Sequence, residues 1–217
     1  MKPILCSTPM VLALLNTKPD VWPAEPIDGT EPFKSQTRRV IKPQPHDVPD
    51  DTYISPYDKN YERFTVWTHD DKMCLDCGGN VKGAAHWKPR YLPGDILWVR
   101  ETWQENTIHS EKDKRANPYL FKADPDSALL RSWIPSIFMP RKAARLFLEV
   151  KAVRVERLQD ITEADAKAEG INKYCCIGGF LVLWETLNAK RGYSWDSNPW
   201  VWVYEVMRTE NFNGGSK

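Results

Sequence analysis

The stretch Arg145–Val155 constrains this chain more than any other, because it reads as a long β-strand. Leu146, Leu148 and Val150 recur every second residue, the period that places side chains on one face of a strand. Ala152 keeps that register and Val155 breaks it, a slip that a β-bulge would absorb. Such a strand needs partners. Lys2–Ser7, Thr37–Ile41, Ile96–Arg100, Tyr119–Lys122 and Trp200–Val206 are the candidates. In the last, Trp200 and Trp202 share one face and Val201 and Val203 the other.

Helical signals are fewer. Pro9 suits a first helical turn, and Met10, Val11, Leu14 and Leu15 follow at helical spacing. Thr162 with Asp165 forms a capping-box pattern behind Ile161, and Gly170 stands where a helix ends. Phe180, Leu183, Trp184 and Leu187 line one face of a further helix. The order is strand, helix, several strands, two helices, final strand, with no βαβ repeat. It predicts an α+β fold, a compact mixed barrel with flanking helices. At 217 residues this is one domain over residues 1–210, with insertions at about 16–33, 44–90 and 104–135, and a disordered tail at 211–217. The 44–90 insertion reads as polar and loop-rich, and Ala128–Trp133 as a helical turn.

Net charge is +1, so the chain as a whole is not a polyanion binder by charge alone. No apolar run approaches the roughly 20 residues of a membrane span. Met10–Leu15 is far shorter, and no signal-peptide pattern is present. Five Cys is an odd count in a chain with ample core, which points to reduced thiols and a cytoplasmic protein.

Four segments together carry a resemblance: Ile4–Leu15 (ILCSTPMVLALL), Lys34–Pro43 (KSQTRRVIKP), Pro93–Trp103 (PGDILWVRETW) and Val153–Gly170 (VRVERLQDITEADAKAEG). The later LWETLN and SWDSNPWVWVYEV stretches complete it. The chain resembles the ASCH family of the PUA-like superfamily, in its phage and prophage-encoded branch. The resemblance spans residues 2–207 and skips 44–90 and 104–135. It implies a PUA-like β-barrel whose pocket holds a nucleobase, a modified nucleoside, or RNA or DNA. Some small members of the superfamily are amidohydrolases acting on acetylcytidine, with a catalytic Lys, Thr and Glu. The matching positions here are Lys34, Thr37 and Glu169. The family's usual Lys-Thr-x-Thr reads Lys34-Ser35-Gln36-Thr37 in this chain, and the insertion at 16–33 precedes the motif.

Amide cleavage needs a nucleophile, a base and donors for the oxyanion. Thr37 would supply the hydroxyl and Lys34 the base, its amine freed by burial and by Arg38 or Arg39 nearby. Residues i and i+3 point to opposite faces of a flat strand, so Lys34 has to enter on a turn or bulge to meet Thr37. Thr37 and Arg39 then share one face and Arg38 takes the other. Glu169 closes its helix, where a carboxylate opposes the helix dipole at roughly 0.3–1 kcal/mol. That placement suits a residue that orients Lys34 or protonates the leaving amine. The same Thr162, Asp165 and Glu169 also make an ordinary solvated helix face.

Arg38, Arg39, Arg100, Glu101, Trp103 and Trp202 are the candidate ligand contacts. Lys34, Arg38, Arg39 and Lys42 make one basic stretch. Arg141, Lys142, Arg145, Lys151, Arg154 and Arg157 make a second, and pairing of the two strands would join them into a phosphate-binding patch. Protection of strand edges is the alternative. Trp98, Trp103, Trp200 and Trp202 are either stacking walls for a base, at about 1–3 kcal/mol each, or core. Cys74 and Cys77 form a C-x-x-C with His69 and His86 nearby, either ligands of a structural zinc or free thiols. No cofactor is otherwise required. Two functions stay open: binding of a nucleobase, nucleoside or nucleic acid, and amide hydrolysis of an acylated cytidine-type nucleoside. A nuclease ranks lower, because no metal-binding carboxylate cluster is visible.

Overall fold

The computed structural model describes residues 1–27, 33–44, 54–55, 64–73, 80–106, 118–125, 132–171 and 175–210. The elements run β1 (Lys2–Leu5), α1 (Thr8–Leu15), β2 (Gln36–Val40), β3 (Ile54–Ser55), β4 (Phe64–Met73), β5 (Asn80–Trp87), β6 (Ile96–Arg100), β7 (Trp103–Glu105), β8 (Tyr119–Phe121), β9 (Phe147–Arg157), α2 (Glu163–Ala168), α3 (Cys176–Asn188) and β10 (Trp200–Thr209). The chain is α+β, as its pattern predicts.

Five strands form the main sheet in the order β1-β6-β9-β10-β2. β1 and β6 are parallel, and every other neighbouring pair is antiparallel. A bulge is present, but earlier than the pattern places it: Ala152 pairs with Glu205 and Val150 with Val206, leaving Lys151 as the extra residue of β9, so that Val153 and Val155 rather than Ala152 continue the core face. The sheet is open, with β1 and β2 as its edges, rather than a closed barrel. In a flat sheet those edges would lie about 19 Å apart, four strand spacings. Yet Arg39 on β2 donates from Nη2 to the Leu5 carbonyl on β1 at 2.7 Å. The sheet therefore curls until its edges face each other across a seam bridged by one guanidinium. Following the pairings around, β1 and β2 run in opposite directions at that seam.

Both faces of β10 are covered, which is why its sequence lacks polar alternation. Trp200, Trp202, Tyr204 and Val206 face the principal core with Ile4, Leu97, Val99, Leu148, Val150 and the α1 residues Met10, Val11 and Leu14. Val201 and Val203 face the other way, against Phe180 and Trp184 of α3 and Ala166 of α2. Full burial of side chains this size is worth about 1.5–3 kcal/mol each. All four motif tryptophans are buried. A third cluster joins Trp103, Phe121, Met139 and Ala143. On α3 the predicted apolar face holds for Phe180, Leu183 and Trp184, whereas Leu187 is exposed.

The 44–90 insertion is more ordered than its polarity suggests. β3, β4 and β5 form an antiparallel sheet of their own, with Met73 paired to Asn80 at the far end of the β4–β5 hairpin. Trp87 Nε1 donates to the Pro43 carbonyl at 2.9 Å and ties the two ends of the insertion together. Cys74 and Cys77, residues 128–131 of the predicted turn, and the tail lie outside the described residues. No helix among the described residues is long and apolar enough to cross a membrane.

Candidate functional site

Lys34 reaches the interior because three contacts fix its backbone. Its N–H donates to Thr17 Oγ1 at 3.0 Å, and that hydroxyl donates in turn to the Ala13 carbonyl at 2.9 Å. Thr17, fully buried just past α1, thus returns the chain to the motif after the 16–33 insertion. Next along, Ser35 N–H donates to the Ala168 carbonyl, and the Ser35 carbonyl accepts from Val206. Residues 33–35 precede β2 without strand structure, which is the irregular entry that the Lys34–Thr37 spacing demands. Gly170 completes the packing. Its φ is +91°, and a Cβ there would sit 2.8 Å from Ala13 Cβ and 3.6 Å from Lys34 Cβ.

The Lys34 ammonium is 1% exposed and donates to Glu169 twice, to Oε2 at 2.8 Å and to the backbone carbonyl at 2.9 Å. A cation at the C-terminal end of α2 meets exposed carbonyl ends, which offsets the unfavourable placement of Glu169. Arg38, on the opposite face of β2 from Thr37, donates to the other Glu169 oxygen, Oε1, at 3.2 Å. Its guanidinium also binds Glu156 through Nε at 2.9 Å, lies 3.5 Å from Asp165, and sits over the Phe180 ring. Burial alone would raise the Asp165 carboxyl. The Thr162 hydrogen bonds and the Arg38 charge outweigh it and hold the group below the usual carboxylate range. The capping box read from Thr162 and Asp165 is therefore present and also joined to the site.

Thr37 is 2% exposed, and its Oγ1 has no hydrogen-bond partner. A buried hydroxyl left without a partner costs free energy and calls for an explanation. Ser7 Oγ, at the N-cap of α1, is buried and unpartnered as well. Cys6, just past β1, is buried in the principal core, its thiol raised by burial, with Arg39 and Lys34 acting in the opposite sense. Neither Cys6 nor Ser7 follows from spacing. Their signal in the sequence is only that they sit between a strand and a proline-started helix.

The other candidate contacts have partners of their own, although the Glu101 charge acts on the Cys6 thiol as that of Glu169 does. Trp202 packs in the principal core, opposite Arg39 in the strand register. Glu101 is 2% exposed, but both its oxygens are taken by Arg145, at 2.9 Å each, and Arg145 also holds Asp124 at 2.6 Å. Glu101 is thus a brace in the described structure, not a free ligand contact. Arg100 donates to the Ile137 carbonyl and lies over the Trp98 ring. Trp103 belongs to the third core cluster. The two basic stretches do not pair, because β10 lies between β2 and β9. Arg38, Arg145 and Arg154 are all engaged by carboxylates, Arg154 by Glu156, Asp165 and Glu205, so no merged positive patch forms from them. Among the described residues no group of His, Cys, Asp and Glu is arranged to hold a metal ion.

No family model matches this chain, and neither the curated proteins nor the solved structures hold a match to it.

Proposed function

We propose that this chain is an amidohydrolase of ASCH-like, PUA-like type, acting on the acyl amide of an acylated cytidine-type nucleoside. One observation carries the proposal: Lys34 and Glu169, 135 residues apart in sequence, meet in a fully buried contact, and the Thr37 hydroxyl, on the segment that Lys34 opens, is buried without a partner among the described residues. Burying such charges is expensive, and a hydrophobic substitute of the same shape is often as stable or more so. A clustered set of this kind is therefore a candidate for chemistry.

In this reading Thr37 Oγ attacks the acyl carbon. Lys34 acts in its amine form, oriented by Glu169 across their 2.8 Å contact. The amine takes the Thr37 proton as the O–C bond forms. The C–N bond then breaks, and Lys34 returns that proton to the leaving exocyclic amine. Water hydrolyses the acyl-threonine ester, giving a carboxylic acid and the free hydroxyl. The cytoplasm is the compartment we assign, since it keeps the free thiols of Cys6, Cys175 and Cys176 reduced.

Binding of the nucleoside without turnover is the second reading. It is favoured by the absence of a Lys34–Thr37 hydrogen bond, because Thr37 Oγ1 has no partner. Catalytic contacts of this kind often close only around substrate. Acetylcytidine turnover by the purified protein separates the two. Release of cytidine that is lost in Lys34→Ala and Thr37→Ala supports hydrolysis. Saturable binding of acetylcytidine with no cytidine released supports binding and overturns hydrolysis.

A further inference from the structure

The seam between β1 and β2 holds a feature that the Lys34–Thr37–Glu169 set does not use. Ser7 is the N-cap of α1, a position where serine ordinarily accepts a bond from the second or third backbone N–H of its helix. Here it makes no capping bond. Pro9 within the first turn lacks an N–H and removes one donor that a cap would serve. Ser7 Oγ is nonetheless buried and without a partner. The hydroxyl is spent neither on its helix nor on the core.

Strand direction says which way it faces. β1 and β2 run in opposite senses where Arg39 meets the Leu5 carbonyl. Two residues forward from Leu5 is Ser7. Two residues back from Arg39 is Thr37. On antiparallel segments these two steps go in the same direction from the crossing point. Ser7 and Thr37 therefore lie on the same side of the Arg39 bridge, and Thr37 shares with Arg39 the face of β2 turned toward the seam. Two buried hydroxyls without partners among the described residues thus fall on the same side of the Arg39 bridge, one on β2 and one at the N-terminus of α1. Lys34 precedes Thr37 on the same segment, just before β2.

We infer that Ser7 is a further residue of the site, whose hydroxyl donates to the acyl carbonyl oxygen of the ligand and stabilises the oxyanion formed when Thr37 attacks. The ligand group is an amide carbonyl. The positive end of α1 favours negative charge at the same place. Ser7 moves no proton in net terms: its O–H bond stays intact while the oxygen of the substrate becomes negative and then re-forms the carbonyl. The inference rests on the amidohydrolase reading for its kinetic role, and on carbonyl recognition alone for its binding role.

The test compares the unmutated protein with Ser7→Ala and Ser7→Thr, using acetylcytidine and cytidine as probes. Removing one oxyanion donor costs about 10²–10³-fold in kcat, so Ser7→Ala is expected to lose that much and Ser7→Thr to recover most of it. Ser7→Ala is also expected to bind acetylcytidine several-fold less tightly and cytidine equally well. Its thermal midpoint should stay at or above that of the unmutated protein, since the side chain caps nothing and its buried hydroxyl has no partner among the described residues. If the unmutated protein turns over acetylcytidine and Ser7→Ala matches it, the Ser7 assignment fails and the hydrolase reading stands. If nothing is turned over, the hydrolase reading fails, and the preference for acetylcytidine over cytidine decides Ser7 alone. A preference unchanged in Ser7→Ala overturns the assignment, and a preference lost in it supports the carbonyl contact.

Discussion

Glu169 and Glu101 are both buried carboxylates held by cations near strand ends, and they differ in what surrounds them. Arg145 closes on Glu101 with two parallel bonds, stacks over Phe121 and takes Asp124 with its remaining arm. Burial pushes the Glu101 carboxyl up, against the pull of the Arg145 bonds and charge. Around Glu169 the two oxygens go to different residues, Lys34 just before β2 and Arg38 within it. The Thr37 hydroxyl, next in sequence to Arg38, is buried without a partner among the described residues. A saturated bidentate pair describes a brace that joins β6 to the segment entering β9. A split carboxylate beside free hydroxyls describes a site kept ready for a polar ligand. Burial of charge alone does not tell the two apart, whereas the hydrogen-bond ledger of the neighbours does.

The largest expected effect falls on the Glu169 side. Lys34→Ala is expected to lower acetylcytidine turnover by about 10⁴-fold, the upper range for a positioned proton-transfer group. Single-turnover kinetics checks this, on protein whose fold is verified by circular dichroism. Turnover within tenfold of the unmutated protein would remove Lys34 from the chemistry and leave the two carboxylates alike.

Next in size is a stability effect on the Glu101 side. Arg145→Met leaves a buried carboxylate without its partner, which costs about 3 kcal/mol, the low end of the range for broken buried pairs because Arg145 is itself partly exposed. Urea denaturation measures it. The folded fraction should keep its kcat/KM. A loss of turnover without a loss of stability would make Glu101 part of the site after all.

Much of this contrast was legible in the sequence on one side only. Lys34, Thr37 and Glu169 could be named from the motif pattern, and the capping box and Gly170 correctly ended α2 beside Lys34. Glu101 read as a ligand contact because its partner Arg145 lies 44 residues on, and pattern reading does not show long-range pairing. Thr17 and Ser7 were missed for a related reason. Each acts through where the chain returns, Thr17 under Lys34 and Ser7 across the seam, and neither position carries a periodic signal. The β4–β5 hairpin was hidden by its acidic and histidine content, although Phe64–Thr68 is rich in β-branched and aromatic residues.

A smaller effect separates the sides by sign. Thr37→Val replaces a buried hydroxyl without a partner by a methyl of similar shape. It is expected to raise stability by about 1–2 kcal/mol while abolishing turnover, the trade expected of a residue kept for activity. A matching urea series checks it. Destabilisation by Thr37→Val would mean that the hydroxyl is satisfied in solution and that this side, like the Glu101 side, is a brace.

The smallest effect concerns acid. Asp165 touches the Glu169 network through Arg38, and its carboxyl is lowered on folding, mainly by the Thr162 bonds once the opposing burial is overcome. A lowered carboxyl binds its proton less readily folded than unfolded. Its stabilising contribution is therefore complete above the unfolded value of about 3.9 and disappears as pH falls through the lower folded value. Glu101 has the opposite sign. Its raised carboxyl makes a contribution that is present in acid and lost as pH rises through the folded value. The stability gap between the unmutated protein and Asp165→Asn should accordingly close as pH drops below about 4, by well under 2 kcal/mol for a partly exposed group. Urea titrations at a series of pH values measure that gap. A gap that stays constant through that range would show that Asp165 is not held by charge, and the acid response of the protein would then rest on other carboxylates.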